Sequence, residues 1–377
     1  MRLGPRDLLV ALTACFVLFG GTEQPAPPET EIVADHQGAL AEVVIHYTPT
    51  VERDVAPAYR DLLRALEPDV TVWVVVERRE HFRRLADLLP RWGVRSTKRF
   101  RPVVTGRPIT TWSRDRYTLL RSGAGERRLL VRARPEEGPA PRRNDWQAPF
   151  ALARAAGRGV TVERAPLLFD GGDLIATDRH VLATALLQAR NEGGTLGERG
   201  PLRDWLRRHL GREPVIIGDR AEDVPGHHIG MFVTPISNDV VLVGDVAAGL
   251  SLLPAEVELP LAVDRSRSTA GRFARVAREL RAHGFVVRPV PLVPLEDGLT
   301  YLTYNNVLLE RRADGRLHAY VPQFGIEGLD RAGRAAFEGQ GVVVHPVDVR
   351  RIYTQNGTVR CLVNVLRRGA SRRASGG

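Results

Sequence analysis

The sequence predicts a mixed α/β fold in a single domain. Short runs of β-branched residues alternate with amphipathic segments of helical period from residue 41 onward. No break in composition marks a second domain, and 377 residues are enough to bury a large core. Hydrophobic residues make up 43% and charged residues 26% of the chain, as in soluble globular proteins.

Each predicted strand is a short β-branched run, and each predicted helix has an apolar stripe. The strands span residues 43–47, 70–76, 215–217, 240–243, 307–309, 319–321 and 342–344. The helices span residues 59–66, 81–92, 201–210, 270–283 and 329–337. The last helix precedes Gly339 and Gly341, which favour a helix stop before a strand. Strand-helix-strand units therefore recur along the chain.

The net charge of +10 does not by itself indicate a nucleic-acid surface. Lys98 is the only lysine among 54 Lys and Arg residues, and the arginines are scattered along the chain. An exception is the C-terminal segment 369–377, which we predict to be a disordered basic tail. The sequence has neither a glycine-rich phosphate loop nor Cys and His at zinc-ligand spacing. We expect no cofactor, no metal and no nucleic-acid partner.

The N-terminus has the features of an export signal. Arg2 and Arg6 precede an apolar run that is too short to span a bilayer comfortably. We predict a signal peptide or lipoprotein signal over residues 1–21 and an unstructured linker over 22–39. A lipobox-like motif could attach Cys15 to the membrane, while an uncleaved anchor or a buried helix is the alternative. The protein is therefore expected to be exported, as a periplasmic, secreted or lipid-anchored form.

Cys361 is the only thiol that remains if the N-terminal segment is removed, because the chain has two cysteines. A lone thiol forms no internal disulfide, and Cys361 follows a turn that contains Gly357. Cys361 is therefore a candidate nucleophile, provided that histidine and carboxylate partners lie near it. The alternative is an inert buried thiol on a C-terminal strand.

The segment 110–117 contains a candidate site for a flat cation. Trp112 offers an apolar plate, and Asp115 follows it by three residues and supplies a carboxylate. A guanidinium could stack on the indole ring and pair with the carboxylate. A surface pair between arginine and aspartate at a strand end is the alternative.

Two further segments carry carboxylates and histidines beside apolar runs. Asp170 and Asp173 flank a Gly-Gly pair that lets backbone approach a ligand closely, although a turn with solvated aspartates would have the same sequence. Residues 226–235 contain the adjacent His227 and His228 ahead of an apolar run. On a strand these two side chains point in opposite directions, so at most one of them faces a given pocket for acid-base catalysis. A purely structural histidine is the alternative.

The order of these motifs resembles a known family. Trp-x-Arg-Asp, Asp-Gly-Gly-Asp, Gly-His, residues 301–306, residues 320–325 and a glycine turn before Cys361 follow one another along the chain. This order resembles the guanidino-group-modifying (pentein) superfamily, closest to agmatine deiminases and bacterial peptidylarginine deiminases. The likeness covers residues 110–366. It implies a five-unit, pseudo-symmetric α/β propeller that occupies residues 40–368 as a single domain.

The resemblance also implies a hydrolysis without cofactor or metal. In the family, a cysteine attacks the guanidinium carbon and ammonia leaves, and Cys361 matches that position. His228 matches the residue that donates and accepts the protons, with His227 as the less favoured choice. Asp170 completes the implied catalytic set. The implied substrate contacts are Asp115, Trp112, Arg114 and Asp173. The implied partner is a guanidino compound, either a small molecule or the arginine side chain of a peptide.

Two positions depart from the family pattern. Gly230 stands where agmatine and peptidylarginine deiminases carry an aspartate two residues after the catalytic histidine. Arg360 precedes the cysteine where agmatine deiminases have a histidine, and strand alternation would point the Arg360 side chain away from the site. These departures leave three alternatives to a deiminase: an amidinotransferase, an enzyme like the dimethylarginine hydrolases, and an inactive guanidinium-binding propeller.

Overall fold

The computed structural model describes residues 30–94, 96–123 and 125–369. The predicted signal or lipoprotein segment, the first part of the predicted linker and the predicted basic tail from residue 370 onward lie outside the described residues. Within the described ranges, every helix is too short or too polar to cross a bilayer. These ranges form one mixed α/β domain, as the alternation of apolar patterns predicts.

Strands and helices alternate through the described part of the chain. The strands are β1 (Thr30–Ile32), β2 (Leu40–His46), β3 (Thr71–Val76), β4 (Phe100–Val104), β5 (Thr118–Ser122), β6 (Arg127–Val131), β7 (Val160–Arg164), β8 (Ile175–Ala176), β9 (His180–Thr184), β10 (Glu213–Ile217), β11 (Val233–Pro235), β12 (Val240–Asp245), β13 (Val286–Pro294), β14 (Tyr301–Thr303), β15 (Leu308–Arg311), β16 (Leu317–Gln323), β17 (Val343–Asp348) and β18 (Val363–Arg368). The helices are α1 (Glu52–Ala65), α2 (Arg79–Leu88), α3 (Ala140–Asn144), α4 (Ala148–Ala156), α5 (Ala185–Ala189), α6 (Arg199–Leu210), α7 (Val246–Leu252), α8 (Arg267–Ala282), α9 (Glu327–Glu338) and α10 (Val359–Leu362).

The described strands form five sheets of three or four strands each. The sheet orders are β1-β5-β6-β7, β10-β9-β8, β11-β12-β13-β14, β15-β16-β17 and β18-β2-β3-β4. The run at 71–76 is buried because β3 lies between two parallel neighbours, β2 and β4. Apolar faces of the helices pack against these sheets, as with Phe273, Val276 and Leu280 of α8.

Every sheet contains the same triplet of strands. A first strand pairs antiparallel with a second, and the second pairs parallel with a third across a helical connection. The triplets are β5-β6-β7, β8-β9-β10, β11-β12-β13, β15-β16-β17 and β18-β2-β3. The recurrence of strand-helix-strand units predicted from the apolar patterns is therefore present in the structure.

The ordered domain begins earlier than the sequence predicts. Residues 30–39 belong to the predicted linker, but β1 pairs antiparallel with β5 and Ile32 is buried. The Thr30 hydroxyl also donates to the carbonyl of His209 at 3.2 Å. A strand of three residues at a sheet edge is too short to show an alternating pattern, which explains why the sequence did not reveal it.

Candidate active site

Five chain segments supply the candidate site, and each precedes the first strand of a triplet. The turn before β8 contacts both the turn before β5 and the turn before β11, and α10 contacts the turn before β5. Their site residues are, in chain order, Asp115 before β5, Asp173 before β8, His228 before β11, Asn306 before β15 and Cys361 before β18. The same position of the repeated unit therefore contributes to the site five times.

His228 lies among three carboxylates. Its Nε2 is 3.4 Å from Asp170 Oδ2 and 3.9 Å from Asp173 Oδ1, while its Nδ1 is 3.8 Å from Asp115 Oδ1. Burial disfavours the imidazolium, but the charge of Asp173 and the polar contacts with Asp170 and Cys361 outweigh burial and raise the pKa of His228 well above its usual value. His228 is therefore protonated at neutral pH.

Asp170 is buried among cations, and Asp173 shapes the turn that carries it. Arg132 donates to Asp170 Oδ1 at 3.2 Å, and Arg190 donates to Asp170 Oδ2 at 3.4 Å. Burial favours the neutral acid, but the contact with His228 and the charge of Arg190 hold the pKa of Asp170 well below its usual value. Asp173 Oδ2 accepts the backbone N–H of Asp170 at 2.7 Å and pairs with Arg190 at 2.5 Å.

Neighbouring protein atoms leave no room for a side chain at either glycine of this turn. A Cβ on Gly172 would lie 2.5 Å from Nδ1 and 2.8 Å from Cγ of His228. A Cβ on Gly171 would lie 2.2 Å from the carbonyl oxygen of Arg114 and 2.4 Å from that of Tyr117. The sequence predicts that these glycines admit a ligand to the backbone; in the structure the His228 imidazole and the backbone of the turn before β5 lie against them.

Asp115 has one carboxylate oxygen engaged and one free. Its Oδ2 accepts from Arg116 at 3.1 Å and from Arg142 at 2.9 Å. Burial opposes ionisation, but Arg142, His228 and Arg116 hold the pKa of Asp115 below its usual value. Asp115 Oδ1 and His228 Nδ1 are buried and have no hydrogen-bond partner among the described residues. Asp115 Oδ1 can accept an N–H of a guanidinium, and His228 Nδ1 can give its proton to a nitrogen that leaves.

Cys361 lies beside His228, at 4% exposure, and its thiol contributes to the raised pKa of that histidine. It belongs to α10 and not to a strand as predicted. Asn306 Oδ1 accepts from the Thr358 hydroxyl at 2.8 Å and from the backbone N–H groups of Arg360 and Cys361 at 3.0 and 3.3 Å. Asn306 thus fixes the turn that presents the thiol. The motif 301–306 contained this residue, but a sequence motif alone does not reveal which backbone groups an amide binds.

Trp112 packs beside Cys361, whereas Arg114 points elsewhere. A Cβ on Gly357 would lie 2.5 Å from the Trp112 ring and 3.1 Å from Cys361 Cβ, so these three residues are in contact. The buried guanidinium of Arg114 donates to Asn364 Oδ1 at 3.2 Å and to a backbone carbonyl at 3.3 Å. Among the described residues it forms no ion pair with a site carboxylate. In this structure Arg114 holds Asn364 and the Leu174 carbonyl, and a contact between Arg114 and substrate stays a prediction.

His227 differs from its neighbour in both contacts and charge. Its Nδ1 accepts the backbone N–H of His228 at 2.7 Å. Burial and the positive charge of His228 lower the pKa of His227 to about 3, so it is neutral at neutral pH. The two histidines precede a 3₁₀ turn, Ile229–Met231, and do not lie on a strand as predicted. Of the pair, His228 alone meets the site carboxylates among the described residues.

Four arginines neutralise the site, and the sequence did not indicate them. They are Arg116, Arg132, Arg142 and Arg190. Asp170, Asp173 and His228 place one ligand atom each within 4.8 Å of one another, a spacing that could hold a metal ion. Guanidiniums already pair with both carboxylates, so cations of the chain itself balance their charges. These groups fit an organic cation better than a metal ion.

The fold of the chain is similar to the folds of known protein structures. No protein-family model and no curated protein matches the sequence. The structure is similar to that of C. jejuni agmatine deiminase, with a TM-score of 0.65 and 13% identity over 91% of this chain and 97% of the other. It is also similar to Enterococcus faecalis agmatine deiminase, with a TM-score of 0.61 and 13% identity over 90% of this chain and 96% of the other.

A third similar structure is that of a protein assigned as a peptidyl-arginine deiminase. Its TM-score is 0.66 and its identity 13%, over 90% of this chain and 99% of the other. Identities this low show a common fold, and the matches extend over nearly the whole of both chains. The resemblance inferred from the motifs is therefore confirmed at the level of fold: the chain has the mixed α/β fold of these deiminase structures.

Proposed function

We propose that the protein is a deiminase of the arginine, agmatine or peptidylarginine type, which hydrolyses a guanidino compound and releases ammonia. One observation carries this proposal: the His228 imidazole contacts the Cys361 thiol and lies 3.4 to 3.9 Å from three buried carboxylates. A buried cation needs such carboxylates, because leaving its charge unpaired costs several kcal/mol. The fold shared with agmatine deiminases supports the same chemistry.

In the first proposed step, Cys361 attacks the guanidinium carbon as a thiolate. Asp115 holds the cation through its free Oδ1, Asp170 orients His228, and Trp112 provides an apolar wall beside the sulfur. A carbon–sulfur bond forms, one carbon–nitrogen bond breaks, and the departing nitrogen takes a proton from His228. Ammonia leaves, and a covalent thiouronium remains on Cys361.

In the second proposed step, water cleaves this adduct. His228, now neutral, accepts a proton from the water, whose oxygen bonds to the carbon. The carbon–sulfur bond then breaks and returns its electron pair to the sulfur of Cys361, while the second proton of the water leaves the oxygen for solvent, where ammonia takes it up as ammonium. The product is the corresponding urea, and the proton on His228 restores the starting state.

Two further parts of the proposal concern architecture and location. We propose that the five strand triplets surround one axis as a five-unit propeller, which the equivalent positions of the five site segments support. We also propose that the protein is exported, on the strength of the apolar run within residues 1–21. Detection of the unprocessed chain solely in the soluble cytoplasm would refute export.

The direct test is a substrate panel with an ammonia assay. Arginine, agmatine, methylated arginines and an arginine peptide are each incubated with the protein and with its Cys361→Ala variant. We expect release from at least one compound and none from the variant. Transfer of the amidine to glycine or lysine would instead indicate an amidinotransferase. Silence across the panel would favour a protein that binds guanidinium ligands without turnover.

A further inference from the structure

Arg142 lies across the carboxylates that we expect the substrate guanidinium to contact. It belongs to α3, in the connection between β6 and α4. Its Nη1 donates to Asp115 Oδ2 at 2.9 Å, its Nε is 2.7 Å from Glu136 Oε2, and its Nη2 is 4.0 Å from Asp170 Oδ2. A guanidinium of the chain itself therefore occupies part of the acidic site.

The charges of the site balance before any substrate binds. Its four guanidiniums are those of Arg116, Arg132, Arg142 and Arg190. Its five carboxylates are those of Asp115, Glu136, Asp145, Asp170 and Asp173. Protonated His228 supplies the fifth positive charge. The Cys361 thiolate of the proposed first step matches the reacting guanidinium, so a second charge on the tail of the ligand must find a partner of its own.

The carboxylates and the guanidiniums of the site also differ in how deeply they are buried. The side chains of Asp115 and Asp170 are 6% and 7% exposed, whereas those of Arg142 and Arg190 are 22% and 31% exposed. The acidic groups therefore lie inside, and these two guanidiniums lie nearer to solvent. A ligand that enters with its guanidinium first would leave its tail beside Arg142 and Arg190.

We propose that the substrate carries a carboxylate on its tail and that Arg142 binds this carboxylate, which makes Arg142 a determinant of specificity. This inference rests on the proposed function, because it takes the guanidinium as the reacting group. The incoming guanidinium displaces Arg142 from Asp115, and the carboxylate of the same molecule becomes the new partner of Arg142. An ammonium tail, as in agmatine, meets two guanidiniums instead and is disfavoured by repulsion.

Binding to the Cys361→Ser variant tests the inference without turnover. Three ligands of similar length differ in the tail: 4-guanidinobutyrate ends in a carboxylate, butylguanidine is uncharged there, and agmatine ends in an ammonium. By isothermal titration calorimetry we expect 4-guanidinobutyrate to bind about tenfold or more tightly than butylguanidine, as one charge-assisted contact provides. We expect agmatine to bind more weakly than butylguanidine.

Substitution of Arg142 identifies the residue responsible. In the Cys361→Ser background, Arg142→Gln should weaken 4-guanidinobutyrate about tenfold and leave butylguanidine within a small factor. Arg143→Gln is the matched control, because Arg143 is exposed on the same helix and donates to the Gly138 carbonyl. Circular dichroism confirms that each variant is folded. Retention of the preference in Arg142→Gln, or an equal loss for all three ligands, would overturn the inference.

The inference and the proposed function fail in different ways. Tighter binding of agmatine than of 4-guanidinobutyrate, or binding of none of the three ligands, ends the inference. If ammonia release still depends on Cys361, the proposed function stands. Preference for the carboxylate ligand with no ammonia from any compound supports the inference and removes the hydrolase.

Discussion

Gly230 and Arg360, the two positions at which the sequence departs from the deiminase pattern, lie in contact with each other. A Cβ on Gly230 would lie 3.3 Å from Nε and 3.4 Å from Cδ of Arg360. The Arg360 guanidinium continues to Asp35 Oδ1, 2.8 Å away. Strand alternation predicted that this side chain points away from His228; it fills the space next to Gly230 because residues 359–362 form a helix.

The contact predicts that Gly230 and Arg360 are energetically coupled. Gly230→Ala should destabilise the protein by about 1 kcal/mol, because the added methyl must push the buried, ion-paired Arg360 aside by a few tenths of an ångström. In an Arg360→Ala background the same change should cost less, and denaturant unfolding of the four proteins measures the difference. Gly271→Ala, in α8 with nothing within 4 Å of the added Cβ, should be neutral or stabilising. Additive effects of the two changes would contradict the contact.

The close approach of Gly172 to His228 predicts a large effect on catalysis. Gly172→Ala places a methyl group in the position of the imidazole, so the ring must move by an ångström or more. We expect kcat/KM for the active guanidino compound to fall about 100-fold. Gly200→Ala is the control, since nothing lies within 4 Å of a Cβ there. Unchanged kinetics in Gly172→Ala would show that the position of His228 is not critical.

Substitution of Asn306 and of its neighbour Asn305 distinguishes an effect on the position of the Cys361 thiol from an effect on stability. Asn305 is also buried, but its amide donates to the Leu242 carbonyl at 3.0 Å and to Thr234 at 3.3 Å, not to the turn at Cys361. Either substitution by alanine leaves buried groups unpaired and should cost about 1–3 kcal/mol in the free energy of unfolding. We expect only Asn306→Ala to lower kcat of the folded enzyme. A comparable loss of kcat in Asn305→Ala would remove the positioning role.

The raised pKa of His228 fixes the sign of a pH effect. Its ordinary value is 6.5, and protonation in the folded state stabilises the protein fully below that value. This contribution is lost as the pH rises through the raised pKa. The difference in melting temperature between the wild type and His228→Gln should therefore shrink as the pH rises above neutrality. Histidine NMR should show the imidazolium of His228 at neutral pH, and a titration near 6.5 would contradict the assignment.

Much of the fold follows from local sequence patterns, and the errors have local causes. The continuous apolar run at 70–76 and the helical stripe at 270–283 were predicted as a strand and a helix, and they are present as β3 and α8. The nine-residue strand β13 was missed because it contains Pro289, Pro291 and Pro294. Pro289 and Pro291 are two residues apart, so their missing N–H groups fall on the same side of the strand.

The candidate site, too, was only partly predictable from the sequence. Asp115, Asp170, His228 and Cys361 were identified by residue type and order, and the structure brings them together. The charge balance was not foreseeable, because Arg142 reaches Asp115 from a short helix 27 residues away that has no recognisable motif. Long-range ion pairs of this kind depend on how the connection between β6 and α4 folds back.

The central claim is that Cys361 forms the covalent bond to the guanidinium carbon, and mass spectrometry of an acid-quenched reaction tests it most directly. During turnover of an active guanidino compound, the proteolytic peptide that contains Cys361 should carry the mass of the substrate less ammonia. The adduct and the release of ammonia should both disappear in Cys361→Ala. Ammonia release that persists in that variant, with no modified peptide in the wild type, would contradict the account.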